Sequence, residues 1–191
     1  MDLKRTRRIE PVTRPHDDDV AELLRGGIER SGLAVVPDFH AVLANHPEVL
    51  RRILGLSLGR MPDSELTVRQ REVLVLRTAR RCSATYEWAH HRRRARERGL
   101  TMKDIRLAWE GPTSAETPED LVLLQVADEL HDASTVAAGT WDRLCEAVSP
   151  PGAIEAVVVV GWFHLIAYLG NALGLEVEAG VDATFGPPEG P

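Results

Sequence analysis

Cysteine is nearly absent from this chain: Cys82 and Cys145 stand sixty-three positions apart among 191 residues. No CxxC pair and no zinc-type spacing is present, so a disulfide framework is not indicated, and two thiols suit a reducing cytoplasm. An excess of positive charge is also missing. With a formal net charge of -6, no global field favours nucleic acid or an anionic membrane. The basic N-terminus, Met1 to Arg8, runs into Ile9-Glu10-Pro11 and an acidic stretch instead of an apolar leader segment. No signal peptide is expected, and cytoplasmic residence follows as the default.

What remains is an ordinary globular composition, 43% hydrophobic and 27% charged, long enough to bury a core without covalent staples. Strand signals and internal repeats are lacking, and breakers and caps cut the chain into helices. Pro47 begins one, and Thr67-Val68-Arg69-Gln70 fits a capping box for the next. A helix from about Ala84 to Arg98 stops at Gly99, Thr101 to Asp104 opens a short one, and Thr117-Pro118 starts another reaching about Ser134. A short helix around Trp141 precedes Ser149-Pro150-Pro151-Gly152, which introduces the apolar helix Ala153 to Leu175. That helix is long enough to span a bilayer, but it carries Glu155, His164 and Asn171, and a core helix is the simpler reading. The expected fold class is all-α, with seven or eight helices. The expected organisation is an N-terminal arm and first helix (1–34), a helical domain (35–178) and a flexible tail (179–191).

Chemistry concentrates between Glu72 and His91. Glu87 and His91 lie four residues apart on one helix face, which also carries the inward-reading Ala84, Trp88 and Ala95. Glu72, nineteen residues before His91, falls on the preceding helix, so a helical hairpin can bring two carboxylates and a histidine together. An exposed i,i+4 pair is the plain alternative. Glu87-Trp88-Ala89-His90 has the Glu-x-x-His spacing of di-iron bundles, but no second copy accompanies it, and no metal is expected. His164, Tyr168 and Asn171 form a polar stripe that needs hydrogen-bond partners, a subunit interface or a ligand. His131 is either part of the same cavity or a histidine favoured by a helix C-terminus. Arg92 to Arg98 reads as a solvated face with ion pairs.

Arg71 to Arg77, Tyr86 to His91 with Ala95, Gly99-Leu100-Thr101, Asp104-Ile105, Ala127 to His131, Thr140-Trp141 and Gly161 to Gly174 together resemble the carboxymuconolactone decarboxylase family over about residues 35–178. The resemblance implies an all-α alkylhydroperoxidase D-like fold, assembled as homodimers, trimers or hexamers. In that family's peroxidase branch a Glu, a CxxC pair and a His form a proton relay. Glu72 and His91 match its Glu and His, while Ala84 and Glu87 occupy the cysteine positions, so disulfide-cycling peroxidase activity is not expected. The decarboxylase branch, with Glu-Trp-x-x-His and no CxxC, is the closer match.

That branch implies a cofactor-independent lyase or isomerase acting on a small oxygenated carboxylic acid or lactone. Glu72, Glu87 and His91 would be catalytic. Trp88, His131, His164, Tyr168 and Asn171 would line the substrate, and one of Arg77, Arg94 and Arg98 would hold a substrate carboxylate. Gly161-Trp162-Phe163 is bulkier than the family's usual run before this histidine. The other functions considered are a non-catalytic oligomeric small-molecule binder and a peroxidase-type oxidoreductase.

Overall fold

A computed structural model describes residues 6–13, 18–56 and 63–187. The first five residues of the basic N-terminal run and the last four of the Gly/Pro-rich tail lie outside them. Among the described residues there are eight helices, one 3-10 turn and no strand. The contacts divide the chain into two units: Met1–Arg60 with Gly170–Gly180, and Met61–Leu169 with Val181–Pro191.

The first unit holds α1 (Asp18–Ser31), α2 (Asp38–Leu43) and α3 (Pro47–Gly55). Pro47 sits at the start of α3 as expected, and His46 Nδ1 accepts from the Val49 amide to cap it. Asp38 gathers the local chain. Its carboxylate takes the Arg7 guanidinium at 3.1 Å and the Glu176 amide at 2.8 Å, so the segments around residues 7, 38 and 176 are tied at one point. Gly174, with φ +69°, lies so close to Thr6 that a Cβ there would meet its carbonyl oxygen at 2.2 Å.

The second unit contains α4 (Val68–Arg81), α5 (Thr85–Glu97), α6 (Met102–Glu110), α7 (Pro118–Ala133) and most of α8 (Ala138–Leu173). Both predicted capping boxes form, at Thr67/Gln70 and Thr101/Asp104. Glycine at φ +92° ends the chain's helical runs at Gly99 and Gly111, because a left-handed residue closes a helix most cheaply without a Cβ. Ser149, at φ 69° and ψ 160°, breaks α8 into two helical pieces at the predicted position.

The central element is α4, which packs against α5, α6 and α7. Val73, Leu74, Val75, Leu76 and Ala79 on it are fully buried. Burial on several sides forces its polar residues into the core as well, and each needs a partner. Arg77 shows how this is met. Its guanidinium grips the Asp128 carboxylate with two bonds of 2.7 Å and donates to the carbonyls of Ala108 and Trp109, joining α4 to α6 and α7. The room for that guanidinium comes from Gly111, where a Cβ would meet Arg77 Nη2 at 2.5 Å.

The apolar helix is long and apolar enough to cross a membrane by length and composition, with a mean hydropathy of 1.8 over its best window. Ala153, Ala156, Val159, Val160 and Ala167 nevertheless lie buried in the protein, as expected for a core helix. Its Glu155 carboxylate accepts from Ser64 Oγ at 2.6 Å and from the Glu65 amide at 2.8 Å, and pairs with Arg71 at 3.5 Å. This fixes the chain just before α4. Residues 181–187 lie along the unit, with Phe185 against Trp88 and Trp109 at ring separations of 6.0 and 5.1 Å.

Candidate functional site

The α4–α5 connection is a tight reversal. Cys82 ends α4, Ser83 turns at φ +50°, and Ala84 starts α5. Two antiparallel helices joined this closely bring residues at comparable distances from the turn near one another, and Glu72, eleven residues before Ser83, meets His91, eight after it. His91 Nδ1 lies 2.9 Å from Glu72 Oε2, and Arg98 Nη1 donates to Glu72 Oε1 at 2.6 Å. Glu72 is 1% exposed, so both of its oxygens are engaged away from bulk water.

These contacts set the charge state. Burial on its own would lift the Glu72 pKa, but the charge and hydrogen bond of His91 and the charges of Arg98 and Arg94 hold it below the ordinary value. His91 moves down because burial disfavours the imidazolium more than Glu72 restores it, and Arg94 adds repulsion. The pair therefore consists of a carboxylate and a neutral imidazole whose Nδ1–H donates to Glu72, which leaves Nε2 with a free lone pair. Phe163 packs edge-on against the His91 ring at 4.8 Å.

Glu87 differs from this pair. It is 3% exposed, and neither carboxylate oxygen has a hydrogen-bond partner among the described residues. Burial pushes its pKa well above the ordinary carboxylate value, which favours its protonated form. Of the two carboxyl groups, it is Glu72 that bonds His91. His90, expected on a different face from His91, is buried too and lies 4.4 Å from the Tyr86 ring.

The side chains expected to line a substrate do not all converge. Trp88 is fully buried, edge-on to Trp109 at 5.0 Å, with the Arg80 guanidinium 4.2 Å above the Trp109 ring. His131 and His164 do meet: His131 Nδ1 lies 3.0 Å from His164 Nε2, and Cys82 Sγ is 3.7 Å from the same His131 nitrogen. Tyr168 stacks edge-on against His164 at 5.9 Å but is 61% exposed. Asn171 falls in the other contact unit. Of the three arginines, Arg77 is taken by Asp128 and Arg98 by Glu72. Arg94, pulled below its ordinary pKa by burial and close enough to Glu72 and His91 to shift both, has no ion pair among the described residues. The arginine run otherwise behaves as expected, with Arg93 pairing Glu97 at 2.6 Å and Arg92 pairing Asp182.

Two features of this neighbourhood were not legible in the sequence. Cys82, which no CxxC or metal spacing singles out, stands beside both histidines, and Phe185 from the Gly/Pro-rich end packs on Trp88. Both contacts join segments far apart in the chain without local spacing to mark them.

Residues 47–129 match the model of the carboxymuconolactone decarboxylase family, which bears out over that span the resemblance read from the α4 and α5 motifs. Three solved structures share the fold. The debrominase Bmp8 in complex with 2,3,4-tribromopyrrole superposes with a TM-score of 0.72 at 14% identity, covering 91% of this chain and 93% of that one. An alkylhydroperoxidase AhpD core protein, peroxidase-related, from Ralstonia eutropha JMP134 gives 0.69 at 19% identity, with coverage of 91% and 95%. A peroxidase-related protein from Silicibacter sp. TM1040 gives 0.68 at 19% identity, with coverage of 95% and 92%. These likenesses place the chain in the all-α alkylhydroperoxidase D-like fold. Among curated proteins no match is found.

Proposed function

We propose that the chain is a small-molecule-converting enzyme that performs acid/base chemistry of the lyase or isomerase kind on a small oxygenated carboxylic acid or lactone. The observation that carries this reading is the buried Glu72–His91 pair at 2.9 Å, next to a second carboxyl, Glu87, whose surroundings drive its protonation the opposite way. Two carboxyl groups pushed apart in pKa divide the roles of base and acid between them. The family match over residues 47–129 and the small-molecule enzymes among the structural neighbours support the same class.

In this mechanism His91 Nε2 removes or relays a proton, because its Nδ1–H is held by Glu72 and the developing imidazolium lies beside a carboxylate. Arg98 keeps Glu72 ionised and in position. Glu87, whose burial favours the protonated form, is the proton donor to the carbon or oxygen that carries the electron pair released by bond cleavage. Arg94 beside His91 holds the substrate carboxylate, and Trp88 contributes to an apolar environment in which those charges interact strongly.

A homo-oligomer belongs to the same proposal. Ile154, Val158, Leu165 and Tyr168 on α8 are 61%, 47%, 41% and 61% exposed. Their spacing of four, seven and three puts them on one side of the helix, as a contact with a second copy requires.

The test is turnover of a panel of small lactones, unsaturated lactone acids and halogenated aromatic acids, followed by product mass. Product from at least one member with the wild-type chain, lost in His91→Ala with the helical circular-dichroism signal retained, is the expected result. Full activity in His91→Ala overturns the mechanism, and saturable binding without product across the panel overturns the enzymatic reading.

A further inference from the structure

Cys82, His131 and His164 arrive at one place from three elements. Cys82 is the residue that closes α4, His131 stands in the last turn of α7, and His164 lies on the second piece of α8. Their donor atoms, one sulfur and two ring nitrogens, all lie within 4.8 Å of one another. The Cys82 Sγ to His131 Nδ1 distance is 3.7 Å and the His131 Nδ1 to His164 Nε2 distance is 3.0 Å.

A tetrahedral zinc ion, with bonds of about 2.3 Å to sulfur and about 2.0 Å to nitrogen, holds its ligand atoms about 3.3 to 3.6 Å apart. Two of the three separations are close to those values and the third is within 4.8 Å, so a shared ion needs side-chain adjustment without a change of backbone. The outer contact of His164 is also of the kind that metal-binding histidines have. His164 Nδ1 donates to the Val160 carbonyl at 2.8 Å, which fixes the tautomer and leaves Nε2 as a lone pair directed at the cluster.

We propose that Cys82, His131 and His164 form a binding site for a borderline divalent cation, zinc in the first place. Sulfur and imidazole donors select such ions over magnesium and calcium, which prefer oxygen. On binding, the ion displaces the thiol proton of Cys82, and His131 shifts its ring proton from Nδ1 to Nε2, so that Nδ1 offers a lone pair to the metal in place of the hydrogen bond it donates to His164. This site is separate from the Glu72–His91 pair, and its existence does not depend on the acid/base reading.

The experiment uses the full-length chain, reduced and stripped with a chelator, then titrated with Zn2+ and with Co2+ as a spectroscopic probe. One ion per chain with a dissociation constant below about 1 µM, and a thiolate-to-cobalt charge-transfer band with intense visible bands of tetrahedral cobalt, is the expected result. Cys82→Ser should abolish the charge-transfer band, and Cys82→Ser and His164→Ala should each weaken Zn2+ more than the 10- to 100-fold that losing an outer partner costs. Cys145→Ser should leave both signals unchanged.

Because a ligand variant can fail to fold, Zn2+ protection of thiols in the unmodified chain provides a second readout: alkylation followed by mass spectrometry should slow at Cys82 and not at Cys145. Fewer than half an ion per chain, undiminished affinity in Cys82→Ser or His164→Ala, or no protection of Cys82 overturns the site. Glu72→Gln and His91→Ala should retain Zn2+ binding, so loss of turnover in those variants and loss of metal in Cys82→Ser report on different proposals.

Discussion

Glu72 and Glu87 are both buried carboxyl groups on consecutive helices of one hairpin, and they differ in their company. Glu72, midway along α4, has an imidazole on one oxygen and a guanidinium on the other. Glu87, in the first turn of α5 beside the α4–α5 turn, has no hydrogen-bond partner among the described residues. The first is held ionised, and burial favours the protonated form of the second. Burial is common to both, so partners decide the charge state and with it the direction in which each group exchanges a proton.

The largest effect expected from breaking this contrast is on turnover. His91→Ala should lower the rate with whichever substrate the panel identifies by about 1000-fold, within the 10²–10⁴ typical of a general base. Next comes the stability of the paired end. Glu72→Ala leaves the buried His91 Nδ1–H without its acceptor and Arg98 without its carboxylate, and should cost about 2 kcal/mol in chemical denaturation, as stranding a buried donor does. Arg98→Ala should cost less, about 1 kcal/mol, since its side chain is 37% exposed. A Glu72→Ala chain as stable as the wild type would show that the contacts of Glu72 with His91 and Arg98 contribute nothing to stability.

The pH profile separates the two ends by sign. Glu72 and His91 both have folded pKa values below their ordinary ones. Their contributions are therefore full above those ordinary values and are lost as the pH falls through the folded ones, giving an acid limb that Glu72→Gln should flatten. Glu87 has a raised folded value, so its contribution is full below the ordinary carboxylate range and is lost as the pH rises through the folded value. Glu87→Gln should flatten the alkaline limb and leave the acid limb alone, read from thermal midpoints across pH. The smallest effect belongs to an exposed control: Lys103 and Glu116 lie 2.5 Å apart but are 71% and 66% exposed, and Lys103→Ala should change stability by less than about 0.5 kcal/mol.

What could be read in advance follows from how local each signal is. The capping boxes at Thr67 and Thr101, Pro47 at a helix start and the break at Ser149 are decided within four residues, and all are present. Glu72 meeting His91 was legible because a short hairpin converts comparable distances from the turn into contact. The partner of Glu72 was not, since Arg94 and Arg98 are equivalent by spacing and only the path of α5 past α4 brings Arg98 to the carboxylate. The meeting of Cys82 with His131 and His164 joins positions 49 and 33 residues apart. No periodicity encodes that; the packing of α7 and α8 creates it. Tyr168 belongs to the same polar stripe as His164 and is still largely exposed, because a stripe that advances along a helix outruns the neighbour covering its beginning.

Gly111 and Arg77 have a consequence for the order in which this sequence can change. Any side chain at Gly111 meets the Arg77 guanidinium at its first carbon and also inherits a φ of +92°. Replacing Gly111 first carries both penalties, whereas replacing it after Arg77 has been shortened carries only the backbone one. Shortening Arg77 first, however, abandons Asp128 and the carbonyls of Ala108 and Trp109. Each substitution is thus harmful on its own while the second becomes cheaper once the first is made. That is the signature of two positions that history must alter together or keep.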